Sequence, residues 1–480
     1  MGTTSIEGNT ELRREFTLWS SFAISFAFVS PIVALYSIFG LAISTAGPSF
    51  WWGFIIVFAG QFLVALVFAM LVSRWPYEGS IYQWSGKLLG PRYGWFAGWT
   101  YQWTLIIGMS TLSLATAGFI ANVVGIAHPS GATRAWIALA ILVAGTALNM
   151  AGRRVLRVFV SASIIAEVIG SIGLAIWLLA FHREQPLSVL TEGSPSGSGD
   201  YLAISGPFVV ALVFIGFSFV GFESASAIAE EVHEPRKSLP KAMLRSLVLV
   251  AIVVMLSSLA IILAIPDLRP ITAGEVADPV YYTLTGQLGA GIARPLEILF
   301  VIGFMASFLA VQTSASRIIW SFARNGALPG SKFLVRLSPG RRQPVNALLL
   351  TTAIGAALLL LSNVASDIYA LMLNLTAGSF FLAFLFPLIG ALVIQARGQL
   401  LGGVFSLGRA TFPITVAAVL WTILELVNIA WPRKIYPEWY LNWSIPIGIF
   451  FLAMAGLVVF VLVHRPTTGS AREAEAEQVE

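Results

Sequence analysis

Glu167, Glu223, Glu297 and Glu425 all lie inside long apolar runs of this chain, and Arg317 and Asn374 lie in two more. A charge at membrane depth costs roughly 2.5–3.5 kcal/mol on insertion scales, so each needs a reason to be there. A carboxylate so placed takes up a proton, holds a cation, or closes a hydrogen-bond network. Glu167, in Ile164–Ile165–Ala166–Glu167–Val168–Ile169, reads as a proton-coupling site or as a carboxyl facing a polar gap. Glu223 reads as a gating or coupling carboxylate, or as a hydrogen-bond hub. Glu425 reads as a packing or oligomer-interface hydrogen bond. Glu297, just after Pro295 at the start of its run, reads as interfacial. Asn374 lines a pathway or bonds across helices. Arg317 and Arg324 close one end of their run, either as a gate with Glu230 or Glu231, or as plain anchors.

Enzyme chemistry finds no pattern to stand on. His128, His182, His233 and His464 lie near loops, and their spacing makes no metal site. There is no cysteine, hence no thiolate chemistry and no disulfide framework. No phosphate loop or dinucleotide fingerprint occurs, so no nucleotide drives the protein directly. The reading is of no enzyme, no metal and no cofactor, with an ion gradient as the energy source.

The elements that must position these groups follow from composition. Only 11% of the 480 residues are charged, against about 25% in a soluble domain, and mean hydropathy is +0.85. The apolar excess falls into blocks of roughly 20 residues, the length that crosses about 30 Å of hydrocarbon as a helix. Backbone groups in a bilayer must be paired within the segment, so the blocks are helices. Twelve spans are expected, at 17–44, 50–72, 94–124, 134–151, 158–181, 203–231, 241–265, 293–323, 345–362, 367–395, 411–431 and 443–464. If the N-terminus is inside and the spans alternate, every lysine and arginine but six falls inside. Those six are Arg134, Arg183, Arg269, Arg294, Arg433 and Lys434. This positive-inside bias predicts a multi-pass protein with both termini cytoplasmic, and the plasma membrane is its expected location. It also accounts for the net charge of +5 without nucleic acid. Tryptophans at span ends, among them Trp51, Trp95 and Trp443, fit an interfacial belt.

Residues 1–16 read as a cytoplasmic segment, 182–202 as an external loop and 466–480 as a solvated acidic tail. Segment 266–292 has room for short helices. The intervening spans divide into 17–181 and 203–395, five each, with 396–465 carrying two more. Five is odd, so the second unit enters the membrane from the opposite side. Ser30–Pro31 interrupts the first span, and Gly216–Phe217–Ser218–Phe219–Val220–Gly221 interrupts the sixth. Breaks at matching places in two inverted units point to a binding site at the midplane, where half-helix ends and free carbonyls face a cavity. A zwitterion suits such a pair of ends.

Three motifs carry a family resemblance. Phe217–Ser218–Phe219–Val220–Gly221–Phe222–Glu223–Ser224–Ala225, followed by Glu230–Glu231, Pro235–Arg236, Pro240 and Ala242, resembles the sixth-helix signature of the amino acid–polyamine–organocation transporters. Ser314 to Pro329 resembles the end of their eighth helix and its loop. Pro76 to Trp84 resembles their second–third loop, with Ser80 in place of a usual glycine. The surroundings of Phe16–Trp19 and Ser85–Trp99 lean to the amino acid/choline branch, which includes 4-aminobutyrate permeases.

The resemblance implies an all-α membrane protein of about twelve helices, with a 5+5 inverted-repeat core like that of the LeuT fold and alternating access. It implies substrate contacts on helices one, three, six and eight. By position these are Ser30, Pro31, Ile32 and Ala34 on the first, and Gln102, Trp103 and Ser110 on the third. On the sixth they are Phe217 as an aromatic lid, then Ser218, Phe219, Val220 and Gly221. Glu223 would link the sixth helix to the first. Relatives usually carry Gly-Ser-Gly where this chain has Ser30 to Ala34, and some carry lysine where it has Glu167. Ala310–Val311 stands where sodium-coupled relatives supply hydroxyls, which disfavours sodium.

The leading expectation is a proton-coupled carrier of an amino acid or related amine, in contact with membrane lipid, as monomer or homodimer. A choline or polyamine carrier and a non-transporting nutrient sensor are the alternatives.

Overall fold

The computed structural model describes residues 18–463 apart from 127–128, 194–199, 277, 339–342, 362–367, 400–402 and 434–438. The expected segments 1–16 and 466–480 and the serine–glycine run 194–199 lie outside the described residues. Helix accounts for 83% of the described residues, and no strand occurs among them.

Among the described residues, eleven helices are long and apolar enough to cross a membrane. They are Ser21–Ala46, Pro48–Arg74, Pro91–Val124, Gly131–Met150, Arg154–Phe181, Pro207–Ser226, Pro235–Ala264, Ala290–Arg324, Tyr369–Ala396, Gly408–Ala430 and Ser444–Val463. Val345–Leu361, ninth in chain order, is apolar but shorter. Its 17 residues reach about 25 Å. The twelve expected spans are therefore all present as apolar helices, within a few residues of their expected ends. Segment 266–292 folds into the short helices Arg269–Thr272 and Pro279–Leu288.

Burial separates inner spans from outer ones. In the first and third spans 89% of the apolar window is buried, against 11% in the twelfth. The third span packs along the eighth and tenth, the first along the seventh, and the fifth along the eighth. The first, third, sixth, eighth and tenth spans thus meet at the centre.

Two of these central spans are not continuous helices. The first consists of Leu18–Val29, Pro31–Tyr36 and Phe39–Ala46. Pro31 has no N–H, so the carbonyl of Ala27 loses its helical partner. Ser30, between the first two pieces, has φ +46°, a left-handed value that costs a non-glycine residue of order 1–3 kcal/mol. The sixth span runs as helix over Pro207–Gly216 and tightens to a 3₁₀ turn at Phe217–Phe219. It extends at Val220, turns left-handed at Gly221 (φ +89°), and resumes as 3₁₀ over Phe222–Glu231.

Candidate functional site

The break in the first span is held by a carboxylate from the fifth. Ile32 N–H donates to both oxygens of Glu167, at 3.2 and 3.0 Å. The Ser30 hydroxyl donates to Glu167 Oε1, and the Ser171 hydroxyl donates to Oε2 at 3.1 Å. Ser30 Oγ in turn accepts from Val33 N–H at 3.2 Å. The backbone that follows the break is thereby satisfied: Pro31 has no donor, Ile32 is taken by Glu167, and Val33 by Ser30. Glu167 is 2% exposed, and directly after it the fifth span widens to a π-helix over Val168–Gly173. Such bulges recur at functional sites. This one gives Gly170 a carbonyl free to accept from Tyr36 Oη at 2.9 Å, a second tie to the first span.

The break in the sixth span leans on the first. A Cβ at Gly221 would lie 2.4 Å from the Phe28 ring, so only glycine fits against it. Ser218 Oγ donates to the Ala34 carbonyl at 2.5 Å, and Ser25 Oγ donates to the Phe222 carbonyl at 3.3 Å. These bonds, rather than Glu223, link the sixth span to the first. Glu223 is fully buried and accepts from Tyr101 Oη of the third span at 2.6 Å. Its direction differs from the expectation because Gly221 turns the chain just before it. The Phe219 ring packs edge-on against Phe54 and Phe58 of the second span, so this residue offers only backbone to the centre.

Between the two breaks lies a cavity of about 30 Å³, lined by Phe28, Val29, Val33, Gly108, Leu112, Phe217, Val220, Ser307, Val311, Thr376 and Phe380. From the expected set it takes Phe217 and Val220 directly. On the third span the lining residues are Gly108 and Leu112. Ser110 lies about 200° round the helix from Gly108, at about 100° per residue. It bonds the Ile106 carbonyl at 3.0 Å and faces Gly355 of the ninth span. Gln102 is buried away from the cavity and Trp103 packs beside Trp99. The expected third-helix contacts thus sit on the wrong face or the wrong turn of that helix for this cavity.

Of the other charged groups, Glu425 and Arg324 each keep one of the readings they had. Glu297, near the start of the eighth span, is fully buried in protein, and Asn122 Nδ2 donates both to it at 3.3 Å and to Asp278 at 3.0 Å. Glu425 is 3% exposed, with Oε1 facing Gly216 at the start of the sixth-span break. It is therefore packed inside the molecule rather than at a lipid or subunit surface. Arg317 is buried, while Arg324 lies 3.6 Å from Glu230. Glu230 also accepts from Glu78 N–H at 3.2 Å, which ties the loop between the second and third spans to the ends of the sixth and eighth. The side-chain oxygen of Asn374 is buried without a partner. Sequence reasoning missed a polar seam in which Gln312 bonds Thr146 and Asn149 across the fourth and eighth spans. Polar side chains in apolar helices were the available signal.

Comparison with known proteins agrees with this architecture. Residues 16–472 match the model of a family described as amino acid permease. An uncharacterized amino-acid permease of Schizosaccharomyces pombe is 26% identical over 91% of this chain and 82% of its own length. The Arabidopsis thaliana amino-acid permease BAT1 is 24% identical over 95% of this chain and 91% of its own. A choline transporter of Saccharomyces cerevisiae is 22% identical over 90% of this chain and 78% of its own.

Proposed function

We propose, from the premise that the chain belongs to the amino acid permease family of the amino acid–polyamine–organocation superfamily, that it carries a small amine-bearing molecule, an amino acid or a related amine, across a membrane by alternating access. The observation that carries this reading is the pair of broken spans meeting around one central cavity, with bonds from each break to the other. Unwound backbone at membrane depth persists only where it is buried or lines a cavity. At about 30 Å³ the cavity has room for one or two waters and not for an amino acid, so a substrate needs a wider state of the same helices. In this reading both termini are cytoplasmic, which the lysine and arginine distribution supports, and the membrane is the plasma membrane.

The energy source in this reading is a proton gradient acting through Glu167. All its partners in the structure are donors: Ile32 N–H, Ser30 Oγ–H and Ser171 Oγ–H. A carboxylate can accept from all of them. A protonated carboxyl turns its own hydrogen on one of the two hydroxyls, which must rotate to accept, and the Ile32 N–H then keeps one acceptor in place of two, which weakens the hold on the first-span break. Tyr36 is the other titratable side chain beside it, and its hydroxyl is already committed to Gly170. Proton uptake by Glu167 would thus release the break that one access state requires.

The direct test is uptake by the purified protein in proteoliposomes, against alanine, lysine, 4-aminobutyrate, choline and putrescine, with and without a pH gradient. Saturable uptake that rises with an imposed inward proton gradient is expected. Indifference of folded protein to the whole panel would overturn the reading.

A further inference from the structure

Resting on the transport reading above, we infer that the central site selects organic cations that lack a carboxylate, because the protein's own Glu167 already fills the place where a substrate carboxylate would be held. A carboxylate entering a dry site needs backbone N–H groups, hydroxyl donors or a cation. After the first-span break the backbone donors are spent, on Glu167 from Ile32 and on Ser30 Oγ from Val33, while Pro31 has none. The Ala34 N–H is bonded to the Ser30 carbonyl at 2.8 Å. The two hydroxyls that line the cavity are also committed: Ser307 donates to the Phe28 carbonyl at 2.7 Å, and Thr376 donates to the Met372 carbonyl at 2.7 Å. Among the described residues, no lysine, arginine or histidine lines the cavity. A second carboxylate would instead approach the one that Glu167 contributes.

A cation meets the opposite situation. The carbonyl of Ala27 has lost its helical partner to Pro31, and that of Val29 has lost its own because Val33 N–H turns to Ser30 Oγ. Among the described residues no other donor reaches either. Val29 lines the cavity. So do the rings of Phe28, Phe217 and Phe380, which can present negative faces to an ammonium. The chemistry fits a small primary or quaternary ammonium with an apolar or hydroxylated tail.

The test pairs compounds that differ in the carboxylate. In proteoliposomes holding the full-length protein, choline competes against glycine betaine, and cadaverine against lysine. A buried charge without partners costs enough that the member lacking the carboxylate should compete roughly tenfold better or more. Equal or better competition by glycine betaine and lysine would overturn this inference and leave the transport reading standing. Uptake of neither class would overturn both. A Glu167→Ala variant frees the Ile32 N–H and removes the resident charge. In it the discrimination should shrink to within about threefold, and undiminished discrimination would show that Glu167 is not the excluding group. Should that variant fail to fold, the wild-type competition decides alone.

Discussion

At the scale of single residues, Glu167 makes its own prediction. Glu167→Gln keeps the size and offers one oxygen to the Ile32 N–H, but cannot change its proton count. Its amide N–H₂ would also face the Ser30 or Ser171 hydroxyl, each of which can rotate to accept. The variant should fold, lose most of the pH dependence of uptake, and retain substrate exchange in the absence of a gradient. Uptake measured from pH 5 to 8 checks this, and an unchanged profile would sink the coupling role. The sequence made Glu167 conspicuous as a lone carboxylate in an apolar run, yet it did not show what the carboxylate touches. That contact spans 135 positions and depends on the left-handed turn at Ser30, which no local propensity of serine announces. The same distance effect hid Tyr101 as the partner of Glu223 and Asn122 as the partner of Glu297.

At the scale of elements, the breaks were legible because proline and paired glycines punctuate an apolar run, whereas the rotation of each helix was not. The third span shows why. Its window is apolar or small on every side, so no periodicity marks Gly108 and Leu112 as the inner face over Ser110. The loop motif also takes on a physical meaning. Gly79 and Ser80 both have positive φ, which explains why glycine is usual where Ser80 stands. The sixth-span break yields a second prediction. Gly221→Ala must adopt a left-handed φ at about 1–2 kcal/mol and drive its Cβ into Phe28. Uptake should fall at least tenfold, and Phe28→Leu in the same chain should restore part of it. No recovery would mean that backbone strain alone is responsible. A third prediction concerns the helix Pro279–Leu288, which Asp278 caps by accepting from Val280 and Tyr281 N–H at 3.1 and 3.0 Å. Burial pushes the Asp278 carboxyl above its ordinary value, against the opposing hydrogen bonds from Tyr281, Asn122 and Val280 and the nearby Arg134. The folded state therefore holds the proton more readily than the unfolded chain. The charged form costs stability above the folded value, and that cost disappears below the ordinary carboxylate value. Asp278→Asn keeps a good cap. It should raise the melting temperature by roughly 1–2 °C at pH 8 and bring no gain at pH 3.5. A loss at pH 8 would show that the charge itself stabilises the cap.

At the scale of the whole molecule, the number and order of spans could be read from composition and charge, while the state of the carrier could not, since every state shares one sequence. The structure is a narrow state: its central cavity is far smaller than an amine substrate, and one end is closed where Glu230 joins Glu78 to Arg324. Both members of that ion pair remain about a third exposed, at 29% and 33%. An exposed pair of this kind is worth about 0.2–1 kcal/mol, enough to shift an access equilibrium by up to roughly fivefold. The absence of cysteine makes the shift measurable, because a single introduced thiol reports without background. Val311 lines the cavity, is 4% exposed, and takes cysteine with little change in volume. In the Val311→Cys protein, a membrane-impermeant maleimide added from the Arg324 side should react slowly. Adding Glu230→Gln should raise that rate severalfold, Arg324→Gln should raise it by a similar factor, and the two together should add little beyond either, since they remove one shared interaction. Rates that multiply in the double variant would mean the two residues act separately. Rates that stay at the parent value in both single variants would place the closure of that end elsewhere, in the packing of Tyr82 on Phe322 and the Trp95 bond to the Ala327 carbonyl.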